Sequence, residues 1–233
     1  MHGKDNSVMA GKLYIVATPI GNLEDITLRA IRILKEVDFI AAEDTRVTQK
    51  LLFHYEIKTP LTSFFKGNEG TKSSKIVSEI VSGKDAALVS DAGTPCISDP
   101  GYPLLVEAIS SGVEVIPIPG ASSLTCAISS CGLPTNAFTY VGFLSDKSGK
   151  RQREISELKD LTHTLVIFVS KWKIKTVLKD CIDILGDRRA CMCRELTKIH
   201  EEFRRDKLSE LLKRADSMTI KGEIVLVIEG CSN

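Results

Sequence analysis

With 233 residues, 43% apolar and 26% charged, the chain has the make-up of an ordinary globular protein, long enough for one large domain or two modest ones. A net charge of +1 excludes any global field that would draw in nucleic acid, so a polyanion would have to be met by a local basic patch. Seven cysteines form no CxxC pair and there is no signal peptide, which points to reduced thiols in a cytoplasm; no apolar run approaches the length of a membrane span.

The first dozen residues, Met1 to Lys12, are polar and read as a disordered tail. A strand at Leu13–Thr18 follows, then a helix from about Ile26 to Val37 capped by Asp25, with Leu28, Ile31, Ile33 and Leu34 on its apolar face. The alternation continues through a strand at Asp38–Ala42, a helix through Leu51 and Leu52, a strand at Leu61–Phe64 and a helix around Ser73–Val81. It ends with a strand at Ala86–Ser90, a helix at Tyr102–Ser110 and a strand at Val113–Ile118. Units of this length predict a mostly parallel sheet with helices on both faces. A further helix runs to Ser130, where Cys131-Gly132-Leu133-Pro134 stops it, and this is the expected domain boundary: 13–131 and 132–233. The second half reads as strands at Thr139–Phe143, Thr164–Val169, Arg189–Arg194 and Glu223–Glu229, with helices near Arg151–Leu158, Ile174–Leu185 and Lys207–Ala215. Their less regular alternation predicts a mixed sheet.

Three of the first domain's strands open into loops of small, polar and turn-forming residues. These are Ala17-Thr18-Pro19-Ile20-Gly21-Asn22, the longer Ser90-Asp91-Ala92-Gly93-Thr94-Pro95-Cys96-Ile97-Ser98-Asp99-Pro100-Gly101, and Pro117-Ile118-Pro119-Gly120-Ala121-Ser122-Ser123. Glycines 93 and 101 permit close ligand approach and prolines 95 and 100 stiffen the loop. All three lie at carboxyl ends of strands, the edge where open α/β sheets bind ligands. Neither a G-x-G-x-x-G nor a Walker loop is present, which argues against dinucleotides and nucleoside triphosphates. The lining of hydroxyls, amides, carbonyls and a few carboxylates suits a polar ligand of adenosine type.

Glu43-Asp44-Thr45-Arg46 ends the second strand; Asp44 or Thr45 is expected to cap the next helix, and Arg46 beside two acids could be held as an anion clamp. Lys147-Ser148-Gly149-Lys150-Arg151-Gln152-Arg153 and Lys171-Trp172-Lys173-Ile174-Lys175 gather cations, the second around an indole, a combination able to hold an RNA backbone and stack a base. Solvated surface is the competing account of each. Histidines 54, 163 and 200 lack ligand-spaced companions, so no metal is expected, and Cys96 reads as a small apolar filler.

The runs ATPIGNLEDITLRA from Ala17, AAEDTR from Ala41, SDAGTP and SDPGY from Ser90, GLPT from Gly132, RELTK from Arg194 and KGEIVLVIEG from Lys221 together resemble the tetrapyrrole methylase-like (class III) S-adenosyl-L-methionine-dependent methyltransferases. Within that superfamily the chain is most similar to the ribosomal RNA ribose 2'-O-methyltransferases, over nearly its whole length. The resemblance implies two α/β domains with the cofactor in the cleft between them, a homodimer, and 2'-O-methylation of a cytidine in the decoding centre of 16S ribosomal RNA in the small ribosomal subunit. It further implies that Pro19, Ile20, Gly21, Asp91, Gly93, Thr94, Pro95, Ile97, Pro119, Gly120, Ala121 and Ser122 line the cofactor, completed by Val169, Arg194, Glu195 and Leu196. Arg46, Lys66, Lys150, Arg151 and Lys171 are the expected phosphate contacts, and Glu43, Asp44 and Glu69 the carboxylates from which a base would be drawn. The chain departs from the family after the Thr164–Phe168 strand, where Val169-Ser170-Lys171-Trp172-Lys173 replaces Glu-Ser-Pro-His-Arg. It departs again at Val47 and at Phe65-Lys66-Gly67, where the family carries histidines. Methylation of a tetrapyrrole or a modified protein residue, and a non-catalytic ribosome-binding role, stay open as alternatives.

Overall fold

The computed structural model describes residues 9–217 and 221–232, so positions 1–8 of the expected tail lie outside the described residues. The rest of that stretch is not tail: Lys12 opens the first strand, and the Gly11 amide donates to the Ile80 carbonyl (2.8 Å). The chain divides into two compact units, Met1–Ser122 and Ser123–Asn233.

The first unit holds β1 (Lys12–Val16), α1 (Leu28–Glu36), β2 (Phe39–Ala42), α2 (Thr45–His54), β3 (Leu61–Ser63), α3 (Glu69–Val81), β4 (Ala86–Val89), α4 (Tyr102–Ser110) and β5 (Glu114–Ile118). Its strands form one parallel sheet in the order β3-β2-β4-β1-β5. Successive side chains of a strand point to opposite faces. Accordingly Ile40 and Ala42 of β2, with Ala87 and Val89 of β4, pack under α1 and α2, whereas Phe39, Ala41, Ala86 and Leu88 pack under α3 and α4. Strands β2 and β4 are buried along their whole length, and each large apolar side chain so covered stabilises the fold by roughly 1.5–3 kcal/mol. The expected Asp25 cap is corrected. Leu23–Asp25 closes its own 3-10 turn, so α1 starts at the next acceptor, Thr27, whose Oγ1 accepts from the Ala30 amide (3.1 Å).

The second unit contains α5 (Ser123–Ser130), β6 (Phe138–Phe143), α6 (Ser148–Ser156), β7 (Thr164–Val169), α7 (Ile174–Leu185), β8 (Arg189–Arg194), β9 (Glu202–Lys207), α8 (Leu208–Ser217) and β10 (Ile224–Ile228). Helix α5 belongs here because it packs on β10, which moves the boundary from Cys131 to Ser122. The sheet is mixed, in the order β6-β7-β10-β8-β9: β6 and β7 are parallel and every other pair is antiparallel. Leu165, Ile167 and Val169 of β7 join Met192, Leu226 and the apolar faces of α7 and α8 in a single core. Strand β9 has no counterpart in the sequence reading. It is an edge strand of sequence EFRRDK, too charged to show the alternation of a half-buried strand, and β8 is its one strand neighbour among the described residues. Among the described residues no helix is long and apolar enough to cross a membrane.

Candidate functional site

In the first sheet the chain passes from β1 over β4 to β2, and later from β4 over β1 to β5. The connections therefore diverge at the β4/β1 pair, the switch point where ligands bind in open parallel sheets. The loops after β4 and β1 are tied to each other there. Thr18 and Gly93 exchange amide-to-carbonyl bonds of 2.9 and 3.0 Å, and the buried Thr18 Oγ1 donates to the Ser90 carbonyl (3.1 Å). The loop after β5 joins them: Thr94 Oγ1 donates to the Ala121 carbonyl (3.4 Å), and Gly120 comes so near β1's loop that an added Cβ would meet the Ala17 Cβ at 3.0 Å. The structure thus brings Pro19, Ile20, Gly21, Asp91, Gly93, Thr94, Pro95, Ile97 and the Pro119–Ser122 turn to one edge, as the sequence led us to expect.

The central loop is held in a costly shape. Cys96 (φ 69°) and Ser98 (φ 65°) both occupy the left-handed region, at roughly 1–3 kcal/mol each. Gly101 (φ 137°) admits no side chain, since a Cβ would fall 2.6 Å from Cys96 Sγ and 2.7 Å from Leu88. The Gly101 amide donates to Glu69 Oε1 (2.8 Å) from the start of α3, a tie that sequence spacing does not reveal. Burial pushes the Cys96 thiol up to about 11, in keeping with a filler rather than a nucleophile.

Carboxylates gather around this loop. Asp91 Oδ1 accepts from the Asp44 amide (2.9 Å), and Glu43 Oε2 accepts from the Asp91 amide (3.4 Å), which cross-links the ends of β2 and β4. Burial is the main cause that raises Glu43 and that pushes Asp99 up to about 6, with neighbouring carboxylates adding to both. Asp44 is the exception. It caps α2, accepting from the Arg46 amide (2.8 Å), and the Arg46 guanidinium forks onto it at 3.0 and 2.6 Å, which holds its carboxyl near a pKa of about 2. Of Asp44 and Thr45, Asp44 is the cap. Arg46 and Lys66 both lie exposed beside this edge, in α2 and in the turn before α3.

In the second unit Val169 and Arg194 stand at one level of the sheet, because Ile224 pairs with both. Arg194 Nε donates to Glu202 (3.0 Å), Leu196 is buried, and Glu195 (φ 51°) folds its carboxylate back to accept from the Glu223 amide and from Lys198 Nζ, each at 3.0 Å. Lys150 and Lys171 are exposed, but Arg151 is only 3% exposed and must be withdrawn from the phosphate contacts. Its Nε donates to Asp180 (2.6 Å) and its Nη1 to the carbonyls of Ser145 (3.3 Å) and Asp146 (3.1 Å). Among the described residues no group of three or more His, Cys, Asp or Glu side chains is placed to hold a metal ion.

A family model described as "Tetrapyrrole (Corrin/Porphyrin) Methylases" matches residues 12–212. The chain is 50% identical to the ribosomal RNA small subunit methyltransferase I of Halalkalibacterium halodurans over 220 residues, covering 94% of this chain and 76% of that protein. It is 46% identical to the protein of the same name from Thermotoga maritima, over 94% of this chain and 99% of the relative. Among solved structures it is similar to a diphthine synthase (TM-score 0.69, 17% identity, 94% of this chain and 90% of that one). It is also similar to uroporphyrin-III-C-methyltransferase from Thermus thermophilus (TM-score 0.64, 17% identity, 93% and 94%). At such identities the two structures speak for the fold.

Proposed function

The chain belongs to the tetrapyrrole methylase family and, within it, to the ribosomal RNA small subunit methyltransferase I group, and from that premise we propose that it methylates the ribose 2'-oxygen of a cytidine in the decoding centre of 16S ribosomal RNA, with S-adenosyl-L-methionine as donor. The observation that carries the reading is the chemistry of the edge at β4 and β1. Its three loops hold no lysine, arginine or histidine, and they offer carbonyls, hydroxyls and the carboxylates of Asp91 and Asp99. That lining fits a donor which is cationic at sulfur and at its ammonium group and carries no phosphate.

The bound donor supplies a methyl group made electrophilic by the sulfonium. The protein's own work is to position and to exclude water. Pro19 to Gly21, Asp91, Gly93 to Pro95, Ile97 and Pro119 to Ser122 would hold the donor on a loop cluster already tied in place, so little ordering is left for binding to pay. Val169 and Arg194 to Leu196 are assigned to the rest of the donor. Loss of the 2'-hydroxyl proton is aided by a carboxylate that is not already neutralised by a cation or fully engaged as an acceptor. Asp44, held near 2 by Arg46, is poorly suited, and Glu69 is engaged by the Gly101 amide; Glu43, with its pKa raised, is the best matched of the three. Arg46, Lys66, Lys150 and Lys171 are assigned to phosphates of the RNA. A homodimer is part of the same proposal.

The test is to incubate the protein with isotopically labelled S-adenosyl-L-methionine and small ribosomal subunits lacking decoding-centre modifications, then to locate the label by nuclease digestion and mass spectrometry. Label on one cytidine 2'-oxygen is the expected result. Label on a base or a protein, or none with donor binding intact, would overturn it.

A further inference from the structure

Two loops lie at the carboxyl end of the parallel pair β6/β7. They carry Leu144 to Lys147, leading into α6, and Ser170 to Lys173, leading into α7. They are bound to each other: Lys173 Nζ lies 2.9 Å from Asp146 Oδ1, and the buried Arg151 donates to the carbonyls of Ser145 and Asp146 while its Nε is fixed by Asp180. Gln152 donates to the other oxygen of Asp180 (3.0 Å), so the carboxylate is fully engaged. Arg151 is thus the internal tie that sets the geometry of this edge, although in sequence it looks like one more surface cation.

On that rigid base sits the only tryptophan of the chain, Trp172, with 80% of its surface exposed. An indole so exposed offers a planar face on which another ring can stack. Lys171 Nζ stands 4.8 Å from the ring centroid, over one face. The cations around it differ in how far they are engaged. Lys173 is paired with Asp146, Lys150 is 3.8 Å from Glu154 and Lys175 is 3.4 Å from Asp216, whereas Lys147 and Lys171 form no ion pair with another described residue. Beside them the exposed Phe143, at the end of β6, packs edge-on to Phe168 of β7 (centroids 5.6 Å apart).

We propose that Trp172 is a stacking platform for an unpaired RNA base, with Lys171 and Lys147 holding the flanking phosphates. Bases stack on exposed aromatic rings irrespective of sequence, at about 1–3 kcal/mol each, and neighbouring ammonium groups that no described carboxylate neutralises supply the salt-dependent part of the binding. The inference rests on the reading of the substrate as RNA, but it is tested separately from methyl transfer.

Because there is one tryptophan, its fluorescence reports on this position alone. A short single-stranded oligocytidylate titrated into the full-length protein should quench the emission along the same curve as binding followed by filter retention. Trp172→Ala should weaken that binding about tenfold, Trp172→Phe should restore most of it, and the Lys147→Gln, Lys171→Gln pair should lower the salt slope by roughly 1 to 1.5. With small ribosomal subunits, Trp172→Ala should raise KM and leave the affinity for S-adenosyl-L-methionine unchanged. RNA that binds without altering the emission, RNA that fails to bind, or a Trp172→Ala protein that binds as the wild type does would overturn the platform. Quenching and weakened variants in a protein that transfers no methyl group to the subunits would uphold the platform and overturn the proposed activity.

Discussion

The two units each present a strand-end edge built from parallel strands, and the two edges are opposite in charge. At β4 and β1 the loops hold no cation at all, and carboxylates crowd around a backbone forced into left-handed turns. At β6 and β7 the loops are short, lysine-rich and capped by an exposed indole. The difference teaches that one architectural device, a carboxyl edge of parallel strands, takes opposite charge from the side chains placed on its loops, which is why the cationic donor is proposed at one edge and the polyanion at the other. It also shows how each edge is made rigid. The first uses backbone pairing, Thr18 with Gly93, and the second a buried ion pair, Arg151 with Asp180.

The sharpest way to break the comparison is at that ion pair. Arg151→Ala leaves Asp180 buried without its partner and should destabilise the protein by about 3–5 kcal/mol in urea unfolding. If Arg151 instead served the RNA from the surface, stability would hold and only the salt dependence of RNA binding would change. Next in size is Glu43→Gln, which keeps an acceptor for the Asp91 amide and removes the proposed base. A fall in kcat of about a hundredfold with donor affinity unchanged is expected, read in single-turnover methyl transfer. Gly101→Ala tests the left-handed turn. The Cβ must displace Cys96 and Leu88, so a loss of about 2 kcal/mol or more is expected, with weaker donor binding by calorimetry.

The smallest effect should come from Asp99. Its carboxyl, at about 6 in the folded chain against an ordinary 3.8, makes the native state bind more protons between those two values. Stability should therefore fall as pH rises from about 4 to 6. Asp99→Asn should flatten that slope and gain less than about 1 kcal/mol at neutral pH, since solvent screens a half-exposed group. A slope unchanged in thermal unfolding across this range would remove Asp99 from the electrostatics of the loop.

Much of this was legible in the chain itself. The strands at Thr164–Val169 and Arg189–Arg194 and the helices at Tyr102–Ser110 and Ile174–Leu185 stand where their apolar periods put them. The three loops of the β4/β1 edge were recognisable because glycine and proline cluster there with small polar residues directly after apolar runs. Strand β9 was not, because Glu202-Phe203-Arg204-Arg205-Asp206-Lys207 has no buried face to write an alternation and depends on β8 for its form. The cap of α1 was misplaced for a similar reason. Asp25 and Thr27 are both good acceptors, and only the closing of the Leu23–Asp25 turn selects between them.

The sequence by itself determined the alternation of elements, the parallel character of the first sheet and the absence of cations from the loops at the β4/β1 edge, since each of these is written in neighbouring residues. Tertiary structure alone decided which strand ends meet, at Thr18 with Gly93 and Asp44 with Asp91, and which of two adjacent cations, Lys150 or Arg151, goes inside. The physical reason is range. Period, turn chemistry and capping act over a few residues, whereas Arg151 is buried because Asp180, 29 residues further along the chain, arrives beside it with a charge that water no longer reaches.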